Sequence, residues 1–182
     1  MINTINHEPQ DFYKEIDQVQ SCISRMSNNS FHIKNWYIGL ISALAVFFIS
    51  KNNVNYTFLF ILVIIISIIM WYLDSYYLLL ERKYRWKYQW IIEQRINSDK
   101  EKANYDYSFN LNPNEYNMWL TDKTSKEYIA AMKSIEAKNK NSLVQLHYHF
   151  KEIWLVMQSC TMIAEYFSII LISIVGLIVN TH

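Results

Sequence analysis

Three apolar segments, separated by polar and charged stretches, dominate the pattern of residues along the chain. The longest covers residues 57–73, and the others have their cores at residues 36–49 and 166–179. Each approaches the roughly 20 residues with which a helix crosses a bilayer. With only two glycines and two prolines in the chain, strands and tight turns are disfavoured. The pattern predicts an all-α integral membrane protein: a transmembrane helical hairpin plus a third C-terminal span, with a helical cytosolic region between.

The same pattern divides the chain into four segments. They are a cytosolic amphipathic helix (1–34), the transmembrane hairpin (35–80), a cytosolic helical region (81–161) and the third transmembrane helix (162–182). In the first segment apolar residues recur three and four apart from Phe12 to Met26, which indicates one apolar helix face. That face packs on another protein helix or lies on the membrane surface. The polar residues 25–30 predict an elbow before the first span.

The first span has a short apolar core, so it must recruit flanking residues to cross the bilayer. We expect Phe31 and Ile33 to join it, Lys34 to extend to the lipid headgroups and Trp36 and Tyr37 to lie in the interfacial belt. Its small residues recur at helical spacing and favour close packing against another transmembrane helix, as in a homo-oligomer. They are Gly39, Ser42 and Ala43.

The second span is predicted to continue without a break into a helix that ends near residue 105. Shorter helices are predicted near residues 113–120 and 125–138, with a turn over 138–142. The last apolar segment, residues 162–179, crosses the membrane or is a buried or re-entrant helix; the sequence leaves both alternatives open.

Basic residues near the span ends predict the orientation. Only Lys51 lies in the hairpin turn, whereas the other side carries Arg25, Lys34, Arg82, Lys83, Arg85 and Lys87. The positive-inside rule therefore places the N-terminus in the cytosol. The heavy use of asparagine, lysine, isoleucine and tyrosine suggests a bacterial genome. The expected location is therefore the bacterial inner membrane, in which the chain is a multi-pass protein.

Two acidic residues, Asp74 and Glu165, lie at the predicted inner edge of the spans. Ionisable side chains near a bilayer are costly unless they are paired or hydrated. They either pair with Arg25, Lys34 or Arg82, or line a pore. The basic cluster over residues 82–87 either contacts anionic lipid or binds an anionic ligand.

Other chemistry is poorly represented in the sequence. The net charge of +1 disfavours a nucleic-acid partner. His147 and His149 are two residues apart, so on a helix they point to different faces and ligate one metal poorly. We find no catalytic motif, and predict no enzyme activity, no cofactor and no metal site.

Two motifs resemble a family of small bacterial membrane proteins. The first is RMxxNSFxxKxW, over residues 25–36, and the second is LDxYYLxxERxxRxxY, over residues 73–88. The layout is also similar to the two-span, SLATT-like effectors of anti-phage defence systems. The resemblance covers about residues 20–95 and implies that the motif residues matter together, namely Arg25, Asn29, Lys34, Asp74, Tyr77, Glu81, Arg82 and Arg85.

A hairpin brings the two motifs into register on the same side of the membrane. We therefore predict a cluster of ion pairs at the hairpin base, formed by Arg25, Lys34, Asp74, Glu81, Arg82 and Arg85.

The resemblance implies a membrane protein of anti-phage defence, an oligomeric effector that permeabilises the inner membrane when triggered. The alternative is a membrane-embedded sensor or scaffold that recruits and regulates a cytosolic partner protein. The expected partners are the lipid bilayer, further copies of the chain and a cytosolic protein from the same operon.

Overall fold

The chain is almost entirely helical where the structure, a computed structural model, describes it. The described residues are 9–50, 56–98, 111–113, 120, 124, 126, 128–129, 132–133 and 142–181, and these ranges contain no strand. The helices are α1 (Pro9–Ile49), α2 (Tyr56–Ser98), α3 (Ser142–Met157), the short α4 (Cys160–Met162) and α5 (Ser168–Thr181), with a π-helical segment (Ile163–Phe167) joining α4 to α5. The all-α prediction is confirmed for these residues.

Helices α1 and α2 are much longer than a bilayer is thick. Their 41 and 43 residues correspond to about 60 Å each at 1.5 Å per residue, against roughly 30 Å of hydrocarbon. The predicted continuation of the second span is confirmed as far as Ser98. The predicted elbow at residues 25–30 is wrong, because α1 runs through it without a break. Serine and asparagine are weak helix formers, but a tertiary hydrogen bond from Ser30 to Asp74 favours the helical course.

The described residues form two compact units, and both long helices contribute to each. Unit 1 comprises the described parts of Met1–Met26 and Leu80–Tyr148. Its core includes Val19 and Cys22 of α1 and Ile91 of α2. The amphipathic face predicted for the first segment therefore packs on a protein helix. Glu15 of α1 and Lys87 of α2, both buried, form an ion pair with 3.3 Å between Oε1 and Nζ.

Unit 2 comprises the described parts of Ser27–Leu79 and His149–His182. One buried cluster joins Tyr37 of α1 to Met162 and Tyr166 of the third apolar helix (residues 160–181: α4, the π-helical segment and α5). A second cluster joins Leu79 of α2 to Ile153 and Val156 of α3. Further along, α5 approaches α2 so closely that a Cβ added at Gly176 would lie 2.5 Å from the ring of Phe60.

The outer surface of unit 2 is apolar, while its interior contains polar side chains. Ile49 is 83% exposed and Val179 is 72% exposed, whereas Ser67, Asp74 and Ser75 are fully buried. Three helices are long and apolar enough to cross a membrane, over residues 12–49, 56–93 and 160–180. Only 22% of the most apolar window of the third is buried, so it is not a buried core helix.

Several predicted features lie wholly or mostly outside the described residues. They are the hairpin turn at residues 51–55, the end of the second long helix predicted near residue 105, most of the helices predicted over 113–120 and 125–138, and most of the turn over 138–142.

Candidate functional site: a buried carboxylate between three helices

The polar interior of unit 2 is centred on the carboxylate of Asp74. On α2, Ser67, Trp71 and Asp74 are spaced four and three residues apart, so they share one helix face. On α1, Ser30, Lys34 and Tyr37 have the same spacing and share a face likewise. The third apolar helix supplies Glu165 and Tyr166 from its π-helical segment.

Asp74 is fully buried, and both of its carboxylate oxygens have partners. Ser30 Oγ donates a hydrogen bond to Oδ1, and Tyr166 Oη donates to Oδ2 at 3.0 Å. Lys34 Nζ lies 3.8 Å from Oδ2. Burying a carboxylate is costly unless it is paired and hydrogen-bonded, and Asp74 meets both conditions.

Lys34 links Asp74 to the third apolar helix. Its Nζ lies 2.9 Å from Oε2 of Glu165, in addition to its contact with Asp74. Two carboxylates attract the ammonium group of Lys34 toward the neighbouring helices, and its side chain keeps 30% exposure. Its extension to the lipid headgroups stays a prediction. Of the three cations considered as partners for Asp74 and Glu165, the structure pairs both acids with Lys34. This arrangement fits a clamp between helices better than the lining of a pore. The clamp consists of Asp74 and the four side chains around it, namely Ser30, Lys34, Glu165 and Tyr166.

A second polar contact lies beside this clamp. The hydroxyls of Tyr37 and Ser67 are 2.8 Å apart, and Ser67 Oγ donates to the carbonyl of Val63 at 2.7 Å. Since serine has one hydroxyl proton, Tyr37 is the donor to Ser67. Tyr37 therefore points inward and is buried, contrary to its predicted place in the interfacial belt, whereas Trp36 is exposed.

Aromatic rings surround the clamp. The ring of Tyr166 lies 5.0 Å from that of Tyr37 between centroids, and stacks on Trp71 at 6.3 Å with 8° between the planes. These rings fill the space between the three helices. They also keep water away from Asp74, so its interactions with Lys34 and the hydroxyls are strengthened.

The π-helical segment positions the two side chains that the third apolar helix adds to the site. A π turn widens the helix and is rare outside single-turn bulges, which are frequent at functional sites. Here it spans Ile163–Phe167 and so contains both Glu165 and Tyr166. The wider turn sets the directions in which the adjacent Glu165 and Tyr166 leave the backbone, one to Lys34 and the other to Asp74.

The structure places the predicted hairpin-base residues in two groups. Lys34 and Asp74 contact each other in unit 2. Glu81 and Arg85 pair in unit 1 within one turn of α2, with Arg85 Nη2 2.6 Å from Glu81 Oε1. Arg25 donates to the sulfur of Cys22 at 3.3 Å, and Arg82 is half-buried.

The predicted helix-packing stripe faces outward. Gly39, Ser42 and Ala43 are all exposed, and a Cβ added at Gly39 would meet nothing within 4 Å among the described residues. The stripe is available for contact outside the described chain.

Sequence reasoning missed Ser30, Ser67 and Tyr166 as parts of the site. One signal was present: polar residues recur at helical spacing within or beside apolar spans, as in Ser67–Asp74 and Ser30–Lys34. Polar groups in such segments face other helices more often than lipid.

Within the part of the chain that the structure describes, no three histidine, cysteine or acidic side chains are placed to hold a metal ion; the side chains of His147 and His149 lie outside that part. Comparisons with models of protein families, with curated proteins and with solved structures find no match.

Removing the phenol hydroxyl of Tyr166 should cost more stability than removing that of Tyr37. Tyr166→Phe deletes a donor to a buried carboxylate, and we expect a loss of about 2 kcal/mol in the free energy of unfolding. Tyr37→Phe deletes a bond between neutral groups, and Ser67 keeps its bond to Val63, so about 1 kcal/mol is expected. Thermal unfolding of the purified protein in detergent measures both. Equal losses would contradict the central place given to Asp74.

Proposed function

We propose that this chain is a multi-pass protein of the bacterial inner membrane in which three helices of unit 2 cross the bilayer. The observation that carries the proposal is the inverted polarity of unit 2, with isoleucine and valine outside and Ser67 and Asp74 inside. Apolar surface on this scale is costly in water and matches lipid tails. The third apolar helix, from residue 160 to 180, is about 31 Å long and suffices to cross the hydrocarbon layer.

The distribution of basic residues supports an orientation with the N-terminus in the cytosol. Alkaline phosphatase fused after residue 53 or after His182 is then expected to be active, since both points would lie on the side of the inner membrane away from the cytosol. The same enzyme fused after residue 110 is expected to be inactive, because it would stay in the cytosol. Phosphatase activity assayed in whole cells checks this prediction. High activity after residue 110 would contradict the proposed orientation.

Within the membrane, we propose that the chain acts as an oligomeric effector of anti-phage defence that permeabilises the bilayer when triggered. The two motifs that resemble small bacterial membrane proteins supply Ser30 and Lys34 from one and Asp74 from the other, and these side chains meet in one clamp. The space between the three helices is filled by Tyr37, Trp71 and Tyr166. A pore would therefore form between copies of the chain, with exposed Gly39, Ser42 and Ala43 as a packing surface.

The test is phage challenge of cells that express the chain with its genomic neighbours, followed with a membrane-potential dye. The proposal expects the membrane potential to collapse before lysis in protected cultures. A variant with Gly39, Ser42 and Ala43 all replaced by leucine should fold but lose protection. Protection with the membrane potential intact throughout would overturn the effector proposal and leave the membrane assignment standing.

The second candidate is a membrane sensor or scaffold that regulates a cytosolic partner protein. Unit 1 supports it, because it is a compact helical body with a groove of about 370 Å³ lined by Gln20, Ile23, Arg85, Tyr88 and Gln89. Polar amides, one guanidinium and a phenol give such a groove several ways to bind a protein side chain. Recovery of an operon-encoded protein that is lost in Ile23→Arg would favour this candidate. Recovery that is unchanged in Ile23→Arg would count against the groove.

A further inference from the structure

The C-terminal half of α3 exposes two aromatic side chains beside a lysine. Phe150 is 50% exposed and Trp154 is 56% exposed; one helical turn apart, they lie on the same face. Lys151 is exposed next to them. The opposite face, with Ile153 and Val156, is buried against Leu79 of α2. This half of α3 therefore has one apolar face that is buried on α2 and one outward face that is aromatic and basic.

The position of this face along α2 is fixed by its neighbours. The ring of Phe150 lies 6.1 Å from that of Tyr72, and the buried face of α3 packs near Tyr72 and Tyr76. The apolar run of α2 ends at Leu73, and the buried Asp74 follows it. Phe150 thus lies at the level where α2 changes from apolar to polar, and Trp154 follows one turn later on α3.

The connection to the third apolar helix gives an independent constraint. Only Gln158 and Ser159 separate α3 from Cys160. Two extended residues span at most about 7 Å. If the third helix crosses the bilayer, the end of α3 cannot lie far from the membrane surface.

We propose that Phe150, Lys151 and Trp154 form an anchor that sits in the headgroup region of an anionic bilayer. This inference rests on the proposed membrane insertion and adds a contact that the three spans do not supply. Tryptophan is favoured at the membrane–water interface because its ring is apolar and its N–H is polar. Lys151 adds attraction to anionic headgroups. A second copy of the chain is the less fitting occupant, because the short tether already holds this face at the level where the bilayer ends.

Tryptophan fluorescence of the full chain in vesicles of phosphatidylcholine and phosphatidylglycerol tests the anchor. The contribution of Trp154 is the difference between the wild type and Trp154→Phe. We expect that difference to be quenched about twofold more strongly by lipid brominated near the headgroup than by lipid brominated near the bilayer centre. Lys151→Glu should weaken the headgroup quenching in these vesicles but not in vesicles of phosphatidylcholine alone.

Each result decides between the anchor and its alternatives. A Trp154 contribution that no brominated lipid quenches would overturn the anchor, and cross-linking between copies through a cysteine placed at Phe150 would then assign this face to a second copy. Stronger quenching from the bilayer centre would also overturn it, because the face would be immersed in the tails. The fluorescence that remains in the Trp154→Phe variant includes the emission of Trp36, which is exposed on α1. Quenching of that remainder reports insertion of the spans, so failure of the anchor is distinguishable from failure of the membrane proposal.

Discussion

Replacing Asp74 with alanine should destabilise this protein by about 3 kcal/mol, because the substitution leaves two buried hydroxyl donors without their acceptor and removes one of the two carboxylates beside Lys34. Ser30 and Tyr166 would lose their acceptor, and Lys34 would keep only the half-exposed Glu165. For a chain of this length the corresponding fall in the midpoint of thermal unfolding is about 9 °C. Unfolding of the detergent-purified protein, followed by circular dichroism or by a thiol-reactive dye, measures it.

Two further substitutions distinguish the charge of Asp74 from its shape. Asp74→Asn keeps one acceptor oxygen and the side-chain volume, so we expect about half of the alanine effect, together with weaker oligomers in detergent. Glu165→Gln removes the more exposed partner of Lys34 and should cost less than about 1 kcal/mol. Asp17→Ala, on the exposed face of α1, is the matched control and should change stability by less than about 0.5 kcal/mol. The clamp would be rejected if Asp74→Ala and Asp17→Ala unfolded alike.

The two glycines of the chain should respond very differently to the same enlargement. Gly176→Leu introduces a side chain where even a Cβ would lie 2.5 Å from the ring of Phe60. Overpacking of this kind costs about 2–3 kcal/mol, because the ring of Phe60 must leave its place or α5 must move away from α2. Gly39→Leu adds the same atoms where a Cβ meets nothing within 4 Å among the described residues. We therefore expect a large fall in the unfolding temperature for the first variant and almost none for the second.

The double variant Gly176→Leu with Phe60→Ala checks the mechanism. Removing the ring makes room for the leucine, so the double variant should recover part of the lost stability, which is the signature of two coupled neighbours. No recovery would show that the cost of Gly176→Leu arises elsewhere. A smaller oligomer for Gly39→Leu, with unchanged unfolding, would instead support the predicted packing role of Gly39, Ser42 and Ala43 between copies.

The clamp explains why a carboxylate is tolerated inside unit 2. A buried ion pair contributes little net stability compared with apolar residues of the same size, but breaking it is expensive. Asp74 receives two hydroxyl donors and a lysine from two other helices. The observed placement of the three helices satisfies all of these groups at once. We infer that the clamp specifies how the helices pack. If the helices lie in a bilayer, their apolar surfaces alone favour one packing over another only weakly, because lipid tails are equally apolar.

The resemblance to small bacterial membrane proteins and the clamp meet at the same side chains. The resemblance includes Lys34 and Asp74 among its motif residues but does not give the distances between them. It covers about residues 20–95 and so does not include the third apolar helix. Tyr166 and Glu165 come from that helix. A two-helix hairpin would leave one oxygen of Asp74 without its tyrosine donor, so this chain's third helix completes the site.

The sequence by itself determined the features that depend on composition and helical periodicity. The three apolar segments, the lack of strands in the described residues, the unbroken course of α2 through residue 81 and the buried face of the first amphipathic segment could all be predicted. The physical reason is that backbone hydrogen bonds and the alignment of apolar residues on one helix face depend on residues within one or two helical turns. Both can therefore be read from short stretches of the sequence.

Tertiary structure decided which polar side chains meet. Ser30 and Asp74 are separated by 44 positions, and Asp74 and Tyr166 by 92, so no local pattern relates them. The same contacts kept α1 helical through residues 25–30, drew the ammonium group of Lys34 toward the neighbouring helices, turned Tyr37 inward, and accompany the π turn that directs Glu165 and Tyr166. Each outcome overrides a local preference because a buried carboxylate must be satisfied, and the groups that satisfy it are known only once the three helices are packed together.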